Sequence, residues 1–84
     1  MYKVFVEFLG TLAALSALAF TGSPVMFLGA LALAIGLGGK ISGGHFNPAI
    51  SAWAYLSGKL SGADAGWYVA AQLAAAALVT VISA

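Results

Sequence analysis

The segment Gly38–Gly58, GGKISGGHFNPAISAWAYLSG, contains the only histidine of a chain that is otherwise mostly apolar. Asn47 followed by Pro48 is typical of a helix start, because Asn caps free backbone N–H groups and Pro fits the first helical position. Residues 47–57 leave room for about 16 Å of helix at 1.5 Å per residue. That is about half of a membrane hydrocarbon core of ~30 Å, and Gly58 suits the helix end. The segment therefore predicts a glycine-rich loop that enters a membrane and a half-helix that leaves on the same side.

The composition predicts an all-α integral membrane protein. The chain has 84 residues, of which 63% are hydrophobic and 6% charged, and its mean hydropathy is +1.08. A soluble domain of this size could not bury so much apolar surface. The net charge of +1 includes no basic cluster, so we expect no nucleic-acid partner. One histidine and two distant carboxylates make no metal site, and no nucleophile–base set occurs, so we expect no metal, no cofactor and no enzyme.

Three segments are candidates for complete membrane spans, at about residues 4–20, 25–39 and 66–84. The second is short for a crossing, although Lys40 can extend its ammonium group to the interface. The expected architecture is a single unit, residues 1–84, with three transmembrane helices and one re-entrant loop and half-helix at about 40–58.

The first apolar segment has a second interpretation, as a signal peptide. Lys3, the apolar run and Ala17-Leu18-Ala19 all imitate one. Glu7 inside the apolar run argues against cleavage, so we expect this segment to remain as the first span.

Ser42–Ala49, SGGHFNPA, resembles the pore-loop signature of the aquaporin and glycerol-facilitator family, the major intrinsic proteins. Glu7–Thr11, EFLGT, resembles the family's first-helix motif, and Tyr68 with Ala71-Gln72 resembles its third helix. The resemblance covers nearly the whole chain, but only the N-terminal half of a usual member. The eight-residue signature is specific, whereas Asn-Pro-Ala alone would be weak evidence.

The resemblance implies that the loop and the start of the half-helix line a pore. In that role the loop would offer backbone carbonyls as acceptors and Asn47 would offer its side-chain NH2 as a donor. An ordinary capped turn would use the same residues. For the His45 side chain we expect a hydrogen-bonded structural group rather than a proton relay. The implied pore-lining residues are Gly43, Gly44, His45, Phe46, Asn47, Pro48 and Ala49.

Four further residues have expected roles outside the signature. Glu7 and Gln72 are polar groups inside apolar spans, which usually face the bundle interior; the resemblance implies that they support the pore loop, and an interfacial position remains the alternative. Phe27, 20 positions before Asn47, corresponds to an aromatic residue of the family's selectivity filter, or it faces lipid. Ile50 stands where the family's second half carries an arginine.

The implied function is a passive channel for water or small neutral solutes such as glycerol, with ions excluded by Asn47 and by the half-helix dipole of about +0.5 charge. A single half would expose irregular backbone to lipid, which bilayers do not tolerate. We therefore expect an antiparallel dimer with its two-fold axis in the membrane plane, and such dimers could cluster as four pores. Phe27 of one copy would then lie near Ile50 of the other, in a constriction of low polarity.

Two alternatives remain open at this point. Lys3, Lys40 and Lys59 fall on one side of the predicted topology, which favours a single orientation and hence a different, complementary half-chain. The chain could also be a non-conducting membrane subunit that acts by helix packing. In each case we expect a multi-pass protein of the cell membrane whose surroundings are lipid.

Overall fold

The computed structural model describes residues 2–84 and contains four helices. Three are long and apolar enough to cross a membrane: α1 (Tyr2–Thr21), α2 (Pro24–Ser42) and α4 (Gly62–Ile82). The fourth, α3 (Pro48–Leu56), has nine residues and spans about 14 Å, too short to cross. Within residues 2–84 there is no strand, so the predicted all-α membrane architecture is confirmed.

All three long helices extend beyond the spans predicted from hydropathy, most of all at the end of α2 and at the start of α4. The helix α2 continues past residue 39 to Ser42, because Gly38 and Gly39 remain helical and Gly43 ends the helix in a left-handed conformation at φ 92°. With 19 residues, α2 is about 28 Å long, close to a full crossing. The helix α4 begins at Gly62 rather than near residue 66, since the Ser61 hydroxyl accepts the Asp64 N–H at 3.1 Å and caps the helix.

The helix α1 is the centre of the bundle. It packs against both α2 and α4, while α3 packs against α4. In the part of the chain that the structure describes, the backbones of α2 and α3 do not approach each other. The bundle is therefore open along the side between α2 and α3, where the segment that joins these two helices lies.

Polar and small side chains fill the interior, while large apolar side chains cover the outside. The buried polar residues are Glu7, Thr11, Ser42, Ser51 and Gln72. The buried apolar residues are mostly small, such as Ala14, Ala54 and Ala75, and small side chains let helices approach closely. Leu33, Leu56 and Val81 are typical of the exposed apolar surface. This distribution suits a lipid environment and leaves a polar interior around the loop.

The first turns of α1 and α4 lie at the same end of the bundle. The Lys3 ammonium group donates to the Asp64 carboxylate at 2.5 Å, and both side chains are partly exposed. After α3, the Lys59 ammonium group lies 4.7 Å from the centre of the Trp53 ring, an attractive cation–π arrangement. Because only Leu60 and Ser61 separate Lys59 from α4, Lys59 also lies towards this end of the bundle.

Candidate functional site

The loop between α2 and α3 folds back along α2 after the helix ends. Gly43 and Gly44 have φ values of 92° and 66°, which let the chain reverse there. Gly44 lies directly against α2: a Cβ atom on Gly44 would be 3.4 Å from the Ile35 side chain and 3.5 Å from the Gly39 Cα. Ile35 is seven residues before the end of α2, or about 10 Å along the helix. The loop therefore runs alongside α2 into the bundle.

The Glu7 carboxylate lies at the centre of the site and has no solvent exposure. Its Oε1 accepts the Phe46 N–H at 2.7 Å and the Gln72 side-chain amide at 2.9 Å. Its Oε2 accepts the Ser42 hydroxyl at 2.7 Å and the His45 N–H at 3.0 Å. Three of these partners are N–H groups, which can only donate, so both carboxylate oxygens act as acceptors. One side chain on α1 thus holds α2, the loop and α4 together.

A second set of hydrogen bonds extends from Gln72 to the loop and to α3. The Gln72 amide also donates to the Ser51 hydroxyl at 2.8 Å, and the Ser51 oxygen lies 3.1 Å from His45 Nδ1. Because the Gln72 NH2 group can only donate, Ser51 accepts from it, and the Ser51 oxygen is also within hydrogen-bond distance of the His45 ring. The Tyr68 hydroxyl donates to the Ser42 carbonyl at 2.6 Å, and its ring meets the His45 ring edge to face at 5.2 Å. The His45 ring is therefore within hydrogen-bond distance of a buried partner inside the bundle.

Asn47 begins α3 with the predicted N-cap. Its backbone is extended (φ −158°, ψ 127°), its Oδ1 accepts the Ala49 N–H at 2.8 Å, and Pro48 occupies the first helical position. The Asn47 carbonyl accepts the Ile50 and Ser51 N–H groups, both at 3.1 Å. The Asn47 side chain is exposed, and its Nδ2 group donates to no group in residues 2–84. The cap therefore uses the amide oxygen and leaves the NH2 donor available.

Four consecutive carbonyl groups precede this donor. Within the described chain, the carbonyls of residues 43–46 accept no hydrogen bond, although the N–H groups of 44, 45 and 46 all have partners. The Phe46 side chain is buried at 6% exposure, so Phe46 contributes to this row through its backbone only. A row of four acceptors without a partner, consecutive along the chain, is thus followed directly by the free Asn47 donor.

The structure does not bring Phe27 to the loop. Phe27 is the fourth residue of α2 and lies eight residues, or about 12 Å, before Ile35, which contacts Gly44. Ile50, on the first turn of α3, is 43% exposed.

Sequence reasoning missed Ser51 as a member of the site. Ser51 is fully buried and links Gln72 to His45. A signal was present, because Ser51 is the only small hydroxyl residue within α3, and polar groups in membrane segments are usually buried with partners.

The fold and the loop define an α-helical, multi-pass membrane protein with a polar interior. The family model for the major intrinsic proteins matches residues 2–83, and the chain belongs to that family. Members of the family are channels and not enzymes, which confirms the expectation that this chain is not an enzyme.

One similar protein is the glycerol uptake facilitator protein-like 6 of Lactiplantibacillus plantarum (strain ATCC BAA-793 / NCIMB 8826 / WCFS1). It is 35% identical over an alignment of 102 positions, gaps included, which covers all of this chain and 45% of the relative. The chain thus spans about half the length of this relative. No solved structure matches the chain significantly.

Replacing Glu7 by Gln should destabilise the protein strongly. The amide keeps the size of the carboxylate but turns an NH2 group towards donors, so about two of the four hydrogen bonds are lost, at roughly 1.5–3 kcal/mol each. We expect the free energy of unfolding in detergent to fall by about 3 kcal/mol or more. Tyr68→Phe, which removes only the bond to Ser42, is the matched control and should cost about 1–2 kcal/mol. A Glu7→Gln variant as stable as Tyr68→Phe would contradict the central role of the carboxylate.

Proposed function

We propose that this chain forms one half of the wall of a passive membrane pore for water and small uncharged solutes such as glycerol. The observation that carries the proposal is the row of free carbonyls at residues 43–46 that ends at the free Asn47 Nδ2 group. In a membrane, unpaired polar backbone is stable only where it lines a cavity or is buried in protein. A file of water or solute hydroxyl groups would satisfy both the acceptors and the donor. The name of the relative, which refers to glycerol uptake, supports including glycerol.

Charge at the loop favours neutral solutes. The N-terminus of α3 carries a partial positive charge of about +0.5, which repels cations where little water screens it. The only carboxylate close to the loop, Glu7, is buried and accepts four hydrogen bonds, so its oxygens are already occupied and do not face a passing solute. A neutral molecule that both donates and accepts hydrogen bonds meets partners along the whole row.

The second half of the wall would be an inverted copy of the same chain. The side of the bundle between α2 and α3 is open, and the exposed Asn47 and Ile50 lie on the elements that border it. An antiparallel two-fold axis in the membrane plane would cover this side and bring two Asn47 residues to one lumen. Phe27 of one copy could then approach Ile50 of the other. Such a constriction has no cationic side chain, which favours glycerol-like solutes as readily as water.

A complementary half, different in sequence, is the second candidate for the missing wall. The observation that favours it is the position of Lys3 and Lys59 towards the same end of the bundle, where α2 with Lys40 also ends. Positive residues collect on the cytoplasmic side of membrane proteins, so this distribution favours one orientation for every copy. Homodimeric pores would need both orientations.

Purified protein reconstituted in liposomes tests the pore directly. We expect osmotic shrinkage in stopped-flow light scattering, and glycerol entry, to be faster than in protein-free vesicles, without faster sodium or proton leak. Permeability equal to that of protein-free vesicles would overturn the proposal.

Asn47→Asp should raise cation leak while leaving the fold intact. Asp caps helices about as well as Asn, so α3 should still form, but a negative charge would oppose the positive end of the helix. Ser61→Asp is the matched control, because it adds the same charge at the N-cap of α4, away from the loop. Sodium and proton flux into dye-loaded liposomes is the measurement. Equal leak in the two variants would remove the electrostatic explanation.

Orientation in cell membranes separates the two candidates for the missing half. The sequence has no cysteine, so Ser23→Cys in the turn between α1 and α2 is a unique labelling site. We expect about half of the copies to react with a membrane-impermeant maleimide before lysis, because an antiparallel homodimer places this turn on both sides. Labelling of all copies or of none indicates a single orientation, and then the complementary half-chain is the better explanation.

A further inference from the structure

Phe46 has an unusual backbone conformation for an aromatic residue. Among residues 2–84 it is the only non-glycine residue with positive φ, at 52°. The left-handed region costs L-residues roughly 1–2 kcal/mol, so the surrounding structure must hold Phe46 there. The Phe46 N–H donates to Glu7 at 2.7 Å. A single hydrogen bond to this N–H does not fix the φ and ψ angles of Phe46, so a further contact must hold them.

The Phe46 ring is held in a notch that two glycines form. A Cβ atom on Gly10 of α1 would lie 2.2–2.5 Å from three ring atoms, well inside contact distance. A Cβ atom on Gly38 of α2 would lie 3.7 Å from the ring and 2.6 Å from Val6 Cγ1. The ring therefore occupies the space that a side chain at residue 10 would need. Gly29 and Gly36, also on α2, have nothing within 4 Å of the corresponding position.

We infer that Phe46 is a positioning residue for the loop, and that its ring, seated in the notch of Gly10 and Gly38, sets the direction of the free carbonyls and of Asn47. The N–H of Phe46 is engaged with Glu7 and its side chain is engaged with α1 and α2, so the carbonyl is the only free polar group at this residue. The torsion angles of residue 46 fix the orientation of the next peptide, which leads directly into the Asn47 cap. If the ring is displaced, the Phe46 carbonyl rotates relative to the Asn47 NH2 group. The consequence for transport rests on the proposed function, whereas the consequence for the loop does not.

Gly10→Ala tests the inference by closing the notch. Gly36→Ala is the matched control, because it adds the same methyl group to a helix where nothing lies within 4 Å. Hydrogen–deuterium exchange, read by mass spectrometry on the purified protein, should become at least tenfold faster in residues 44–47 of Gly10→Ala and remain unchanged in Gly36→Ala. Exchange in α4 should change in neither variant. Equal loop exchange in both variants would overturn the inference.

Phe46→Ala is the second variant, because it removes all three ring atoms that oppose a methyl group at residue 10. It should also speed loop exchange at least tenfold, even if Gly10→Ala proves too unstable to purify; unchanged exchange would overturn the inference. The double variant Gly10→Ala/Phe46→Ala should behave like Phe46→Ala alone, since the added methyl group no longer has a ring to displace. Additive effects of the two substitutions would mean that the ring and the notch act independently, which also overturns the inference.

The ratio of proton leak to water permeability in liposomes gives the transport readout, because a ratio does not depend on how many pores are active. We expect it to rise at least threefold in Gly10→Ala and in Phe46→Ala, and to stay constant in Gly36→Ala. If the wild-type chain does not conduct but loop exchange responds as expected, the proposed function fails and the positioning role stands. If the wild-type chain conducts and the substitutions change neither readout, the positioning role fails and the pore stands.

Discussion

A carboxylate inside a bundle of apolar helices needs hydrogen-bond donors, and the structure depends on how Glu7 finds them. An unpartnered buried charge would cost far more than the modest net stability of a protein this small. Glu7 obtains two donors from the loop backbone, at His45 and Phe46, and two from the side chains of Ser42 and Gln72. The loop has no secondary structure to satisfy those N–H groups. The carboxylate therefore supplies the acceptors that the loop lacks, and the loop supplies donors that the carboxylate needs. This mutual requirement keeps the loop folded back along α2.

The same requirement divides the polar groups of the loop into two sets. Its N–H groups are used inside the bundle, while the carbonyls of residues 43–46 remain free. Asn47 is divided in the same way, since its oxygen caps α3 and its NH2 group stays free. An irregular segment with this asymmetry is stable at membrane depth only beside a polar lumen or a covering partner. This is the basis of the proposal that a second wall covers the open side of the bundle between α2 and α3.

Helix capping explains why the start of α3 was predicted correctly and why the end of α2 was not. The Asn47-Pro48 pair predicted the start of α3 correctly, because capping involves atoms within a few residues of one another. The end of α2 was less predictable: Gly38 and Gly39 look like a helix stop, but the helix continues to Ser42. A glycine ends a helix only when it adopts the left-handed conformation, and here Gly43 does so while the earlier pair packs against neighbours.

The sequence by itself determined the membrane class, the three long apolar helices, the capped half-helix and the membership of the major intrinsic protein family. It also favoured an interior position for Glu7 and Gln72 over an interfacial one, since polar groups in apolar spans avoid lipid, and the structure buries both. Only the tertiary structure decided which donors surround Glu7, because Gln72 lies 65 residues away along the chain. The seating of the Phe46 ring against Gly10 was likewise decided by how α1 and α2 pack. Capping and hydropathy act over a few neighbouring residues, whereas these contacts exist only once distant helices have met.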